Sequence, residues 1–203
     1  MTTRALPVEL GDKLAAAAGE FASAFDDVRM DDIARASGIP RATLYYYFAG
    51  KDDVLAFLLQ SMLDDLRVSV AIAAATEGDP VTRLSAVVRA QLAHLAANPA
   101  AGRLLLTNLG RTGRIGLIAA GVDEGFHAPV RSILADGIVR GVLADVDVEI
   151  ATTALYGAVT IVGLRSLLMD GRIDVDRVAD ALFPIFSSGL VRQSPLRSPR
   201  PKP

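Results

Sequence analysis

The chain has 203 residues, 51% of them hydrophobic, a formal net charge of −2 and no cysteine. That apolar share supplies a core and excludes a disordered polyelectrolyte. The lack of cysteine excludes a disulfide framework, thiol chemistry and cysteine-ligated zinc, and a balance so close to neutral does not by itself advertise a nucleic-acid binder.

Glu9, Asp12, Lys13 and Glu20 interrupt the stretch after Met1, so no signal-peptide run is expected there. Leu10, Leu14, Ala17, Ala18, Phe21 and Phe25 recur at three- and four-residue steps and predict an amphipathic helix over 9–25. Residues 26–29 break it, and 30–37 form a second helix with Met30, Ile33 and Ala34 inward. Gly38 is a good C-cap, because glycine enters the left-handed conformation cheaply. Pro40 then suits the first turn of a third helix, where its missing N–H is no loss. Two short helices joined by so tight a turn predict a helix-turn-helix over 29–48.

The third helix concentrates unusual chemistry. Arg41, Thr43 and the consecutive Tyr45, Tyr46 and Tyr47 lie within seven residues, and no acid occurs between Asp32 and Asp52. Residues 1–60 carry six basic and nine acidic side chains, yet the local stretch 33–51 carries only Arg35, Arg41 and Lys51. Screening limits each exposed charge to about 8 Å at physiological salt, so the local patch outweighs the total. On a helical wheel Leu44 and Phe48 share the inward face. Ala42, Thr43 and Tyr46 point away, with Tyr45 and Tyr47 on the flanks. Thr43 and Tyr46 are therefore expected in a major groove, where threonine bonds a base edge or touches a thymine methyl. Arg41 reaches a guanine or a phosphate.

A long helix follows, with Asp52 and Asp53 complementing the dipole of its first turn. Further helices are expected over 81–97, from Asn98-Pro99 through Leu106, over 117–142 with a kink at Pro129, and over 148–169 and 175–191. The glycine-arginine stretch 110–116 lacks the lysine-serine ending of a phosphate loop and reads as an inter-helix loop. His94 and His127, the only histidines, have no metal-ligand spacing and read as satisfied polar groups near a core or pocket. Residues 150–169 hold a single charge, Arg165, and are long enough to span a bilayer. Thr152, Thr153, Thr160 and Ser166 favour a helix buried between helices or subunits instead. Arg165 pairs with an acid on a neighbour, snorkels to the surface, or binds an anionic effector. Residues 194–203, with four prolines and three basic residues, read as a disordered tail.

The first sixty residues resemble the DNA-binding domain of the TetR family of transcriptional repressors. The resemblance rests on Ile33-Ala34, Gly38, Thr43-Leu44-Tyr45, Phe48, Gly50-Lys51-Asp52 and Leu55 at their spacings. Two positions depart from the family: Arg29 stands where a serine or threonine usually caps the second helix, leaving Asp27 as a cap, and Ala24 replaces a glycine before Phe25. The resemblance implies an all-α fold. Its parts are a DNA-binding domain over 1–50, a helical effector-binding and dimerisation domain over 51–193, and the tail. It also makes Tyr45, Tyr47 and Lys51 phosphate or sugar contacts, which fix register without reading sequence.

The expected partners are double-stranded DNA bearing a palindromic operator, a second copy of the chain, and an unidentified small-molecule effector. No cofactor, metal, membrane partner or enzymatic activity is expected, and the expected location is the cytoplasm. The last two helices, with the small residues Ala154, Gly157, Ala158 and Gly163, are the dimerisation candidates. Tyr156, Asn108 and His94 are candidate polar contacts for the effector. The expected function is a repressor released from its operator by that effector. The alternatives are an activator, an effector-independent regulator, or an all-α ligand-binding protein or enzyme without DNA function.

Overall fold

The computed structural model describes residues 6–21, 24–100, 102, 104 and 115–190. Its helices are α1 (Val8–Phe21), α2 (Met30–Ser37), α3 (Arg41–Tyr47), α4 (Lys51–Ala74) and α5 (Pro80–Ala97). They continue with α6 (115–139), α7 (Val148–Asp170) and α8 (Val175–Leu190). Residues 99, 100, 102 and 104 are also helical, and the described residues contain no strand. The fold is all-α, as the periodicities predict. Residues 110–114 of the glycine-arginine stretch, Asn108 and the proline-rich tail lie outside the described residues, while Ile115 and Gly116, expected in the loop, open α6.

Two cores form. The N-terminal one gathers Leu14, Phe21, Phe25, Met30, Ile33, Ile39, Leu44 and Phe48. The first half of α4 belongs to the same core, through Val54, Leu55, Leu58, Leu59, Met62 and Leu63. From Leu66 onward the same helix faces the other core, built from α5, α6, α7 and α8. α4 is thus one rigid rod shared by the three-helix unit and the larger helical unit. Tyr156 of α7 packs against both cores.

Three local expectations need correction. α1 ends at Phe21, not Phe25, although both rings stay buried with centroids 6.3 Å apart. Residues 24–27 turn instead, with the Asp27 N–H donating to the Ala24 carbonyl at 3.0 Å. Asp26 and Asp27 at a helix C-terminus would oppose the macrodipole, which disfavours extension. Secondly, Asp27 does not cap α2. Asp32, at the third position of the helix, accepts the Arg29 N–H at 3.0 Å, half of a capping box. That bond, ahead of the nearby Arg35, holds the Asp32 carboxyl below its ordinary pKa.

Thirdly, the irregularity in α6 precedes Pro129. Residues Asp123–His127 form a π-turn, and the Ala128 N–H reaches back to the Asp123 carbonyl. A proline inside a helix lacks a donor and crowds the carbonyl four residues earlier, here Gly125. Widening the preceding turn accommodates both. Gly125 also lets α6 lie directly on the Arg67 backbone of α4, where a Cβ would sit 3.4 Å from Arg67 Cα.

Candidate nucleic-acid interface

The turn between α2 and α3 is set by Gly38, in the left-handed conformation at φ 65°, which only glycine enters without strain. The Ser37 hydroxyl donates to the Ile33 carbonyl at 2.7 Å and accepts the Ile39 N–H at 3.4 Å. Ile39 is then buried and Pro40 becomes the N-cap of α3, one position earlier than expected. Leu44 and Phe48 are 2% and 6% exposed, so they anchor α3 to the domain.

The opposite face is open. Arg41, Ala42, Tyr45 and Tyr46 are exposed, while Thr43 and Tyr47 are half-buried. Tyr45 and Tyr46 keep 47% and 55% of their surface, a large exposure for tyrosines that core packing does not require. Tyr46 and Tyr47 meet edge-on with centroids 4.9 Å apart. The Arg41 guanidinium stands 5.4 Å over the Tyr45 ring and bonds Asp31 of α2 at 2.9 Å. Arg35 is likewise paired, with Asp32 at 3.1 Å.

Lys51 has a structural task that sequence reasoning missed. Its ammonium donates to the Phe25 carbonyl at 3.2 Å and to the Asp26 carbonyl, and it lies 5.6 Å from the Phe25 ring centroid. It therefore ties the end of the α1 region to the first residue of α4. Asp53 closes the adjoining turn by accepting the Ala49 N–H at 2.9 Å.

The larger helical unit holds polar groups where none is needed for packing. Gln91, His94, Thr152 and Thr160 are all buried. Gln91 Nε2 donates to Thr160 Oγ1 at 2.7 Å, one turn along α7 from Tyr156. Burial pushes the Tyr156 phenol above its ordinary pKa, against the opposing pull of Thr160. Burial pushes the His94 imidazole down, against the pull of Asp65. Gln91 Oε1, His94 Nε2, His127 Nε2 and Thr152 Oγ1 are buried without a hydrogen-bond partner. The histidines are therefore not the fully satisfied groups expected. Thr152 and Thr160 entered the sequence reading only as residues unsuited to lipid. Their spacing with Tyr156, one turn apart each time, was the available signal. No described group of three or more metal-ligating side chains converges.

The outer face of α7 and α8 is unusually apolar. Ile150, Ile161, Leu168, Met169 and Ile185 are exposed. By length and composition α7 is apolar enough to cross a membrane, and 44% of its most apolar window is buried inside the protein. Ala154 is exposed and Gly157 faces open space, whereas Gly163 points inward. A Cβ there would lie 2.9 Å from Leu95 Cδ1, so Gly163 serves the α5–α7 contact and not an outer seam. Arg165 is exposed on the apolar face and forms no ion pair with a described acid of its own chain, which within one chain is the surface alternative.

A three-helix unit with a projecting, aromatic-rich second helix, joined through α4 to a larger helical unit, is a helix-turn-helix domain carried on an all-α body. Residues 14–57 match the family model of bacterial regulatory proteins of the tetR family. The HTH-type transcriptional regulator BetI of Agrobacterium fabrum is 37% identical over 62 residues, which is 30% of this chain and 30% of that protein's length. Over nearly the whole chain the fold matches solved regulators. The fatty acid degradation regulator FadR of Bacillus halodurans has a TM-score of 0.80 at 20% identity, covering 93% of this chain and all of that one. A TetR/AcrR-family regulator of Thermobifida fusca has a TM-score of 0.71 at 25% identity, covering 92% and 100%. FadR of Bacillus subtilis, solved with stearoyl-CoA, has a TM-score of 0.75 at 19% identity, covering 90% and 98%. The family match is confined to the N-terminal unit, residues 14–57, and the similar proteins are themselves transcriptional regulators.

Proposed function

We propose that the chain is a dimeric repressor that holds a palindromic operator and is released from it by a small, mainly apolar effector. The observation that carries DNA binding is the split of α3 into a buried face and an open face of Arg41, Ala42, Tyr45 and Tyr46. Thr43 and Tyr46 read bases in this scheme; Arg41, Tyr45, Tyr47 and Lys51 hold the backbone. A single helix-turn-helix covers too few bases for selectivity, and a two-fold dimer doubles the site. The exposed apolar face of α7 and α8 supports that dimer, since two copies would close it as a four-helix bundle.

The effector acts between α4 and the helices packed on it, tilting the rod that begins at Lys51. It releases DNA only as far as it binds the DNA-incompetent state better. The stearoyl-CoA held by the Bacillus subtilis protein is consistent with a fold that accommodates long apolar molecules. The setting is the cytoplasm, with the chromosome.

Electrophoretic mobility shift on the chain's own upstream DNA tests the proposal. Wild type gives a salt-sensitive specific shift, and Thr43→Ala combined with Tyr46→Ala removes the specificity. A wild-type chain that shows no specific shift there or on a selected oligonucleotide pool refutes DNA regulation.

A further inference from the structure

Six polar side chains from three helices form a seam within the larger helical unit. His127 on α6 meets Tyr156 on α7 with ring centroids 5.6 Å apart. Thr160 lies one turn on from Tyr156 along α7 and accepts from Gln91 of α5 at 2.7 Å. Thr152 extends the seam one turn along α7, and His94 one turn along α5. The surroundings are apolar: Phe126 and Leu155 are fully buried, and the Phe126 and Tyr156 rings lie 5.1 Å apart.

Packing does not explain this seam. Each buried polar atom left without a partner keeps the cost of its lost water, which an apolar residue of similar shape would avoid. Four such atoms lie here, three of them on side chains more than nine-tenths buried: Gln91, His94 and Thr152. Their chemistry is complementary to a ligand with both donor and acceptor. Gln91 Oε1 can only accept. His94 Nδ1 faces Asn98 Nδ2 at 3.5 Å and accepts from it, which leaves the proton on Nε2 as a free donor. His127 Nδ1 faces Asp123 Oδ1 at 3.6 Å, so the proton belongs there and Nε2 is a free acceptor. No Asp, Glu, Lys or Arg belongs to the seam. Two clefts of about 380 and 390 Å³ lie elsewhere, beside Ile150 on the outside of α7 and beside Arg172 at the α7–α8 turn.

We infer that the seam is the polar part of the effector site, and that its ligand class is a neutral, largely apolar molecule carrying a hydroxyl group. The inference rests on the effector-released regulator proposed above. A free carboxylate or a phosphate inside the seam would be desolvated without a cation to pair with, which is costly. A hydroxyl both donates to Gln91 Oε1 or His127 Nε2 and accepts from His94 Nε2.

The test is competition against the neutral dye Nile red, read by its emission, with the full-length chain. The competitors are 1-dodecanol, its isosteric methyl ether 1-methoxyundecane, and dodecanoate. Saturable dye binding is expected, with 1-dodecanol displacing it at about tenfold lower concentration than either of the others. Gln91→Leu and, independently, Thr152→Val should retain dye binding and narrow that preference. No saturable binding, equal competition by all three, preference for dodecanoate, or an unchanged preference in both variants would overturn the inference. Buried groups serving structure alone would move only the unfolding midpoint of these variants. DNA binding is measured in parallel without competitor. Loss of a wild-type shift strikes the regulator reading, and loss of alcohol preference with the shift intact strikes only the ligand class.

Discussion

Each cation expected to hold DNA is already engaged within the protein. Arg41 pairs with Asp31 at 2.9 Å, Arg35 with Asp32 at 3.1 Å, and Lys51 bonds the carbonyls of Phe25 and Asp26. Exposed pairs are worth about 0–1 kcal/mol, so a phosphate can capture Arg41 from Asp31, leaving an acid close to DNA. Asp31→Asn should therefore raise DNA affinity and steepen the dependence on salt by about one phosphate contact per chain. Titrations at several salt concentrations check this, and weaker binding by the variant would mean that Asp31 orients Arg41 productively. His94 carries a second residue-scale prediction. Its pKa is depressed in the folded chain by burial, so the unfolded chain binds the proton more readily. Stability contributed by this group is present above the unfolded value of about 6.5 and falls with acid until the lower folded value is passed. Urea unfolding between pH 7 and 5.5 should show a loss of up to about 1.4 kcal/mol per pH unit from this histidine. His94→Leu removes that slope; an identical pH profile in both proteins would contradict it.

At the scale of elements, glycines show which helix contacts are tight. A Cβ on Gly137 of α6 would lie 2.6 Å from Leu143 Cγ and 3.0 Å from Pro80 Cβ. Pro80 opens α5 and cannot swing aside, so Gly137→Ala should destabilise by about 1–3 kcal/mol in urea unfolding. Gly157 of α7 faces open space, and Gly157→Ala should gain up to about 1 kcal/mol of helix propensity within one chain. Equal effects of the two substitutions would contradict the packing described. This contrast was not legible in the sequence, because α7 is apolar nearly all round and gives no face from which to orient Gly157 or Gly163. The helix-turn-helix was legible, because Gly38, Pro40, Leu44 and Phe48 are local signals at fixed spacings. Lys51 was read as a backbone contact because its bonds to Phe25 and Asp26 join residues 25 and 26 positions apart. The polar seam was legible only in part: Tyr156 and His94 stood as candidate effector contacts, but Gln91, His127 and Thr152 come from three helices, and only Thr152, Tyr156 and Thr160 share a repeat. Pro129 marked α6 as irregular, yet a proline alone does not say that the turn before it widens.

In the whole molecule, α4 belongs to both cores, from Val54 in the first to Ala74 in the second. A tilt of this rod moves α3 directly, since Lys51 and Asp53 fasten its first turn to the DNA-binding unit. In the proposed dimer, the outer face of α7 and α8 sets how far apart the two reading helices stand. Ile161→Asp places a charge in the middle of that face, which is exposed in one chain. It should leave the fold intact and give monomers by light scattering at micromolar concentration, with the operator shift lost. A variant that remains dimeric would place the interface elsewhere. Unbiased selection of bound duplexes from a random oligonucleotide pool tests DNA reading and two-fold assembly together. The expected result is an enriched palindrome whose half-sites lie about one helical turn apart or a multiple of it, occupied by an even number of chains. Enrichment of a single unrepeated site, or no enrichment at all, would contradict a dimeric operator-binding regulator.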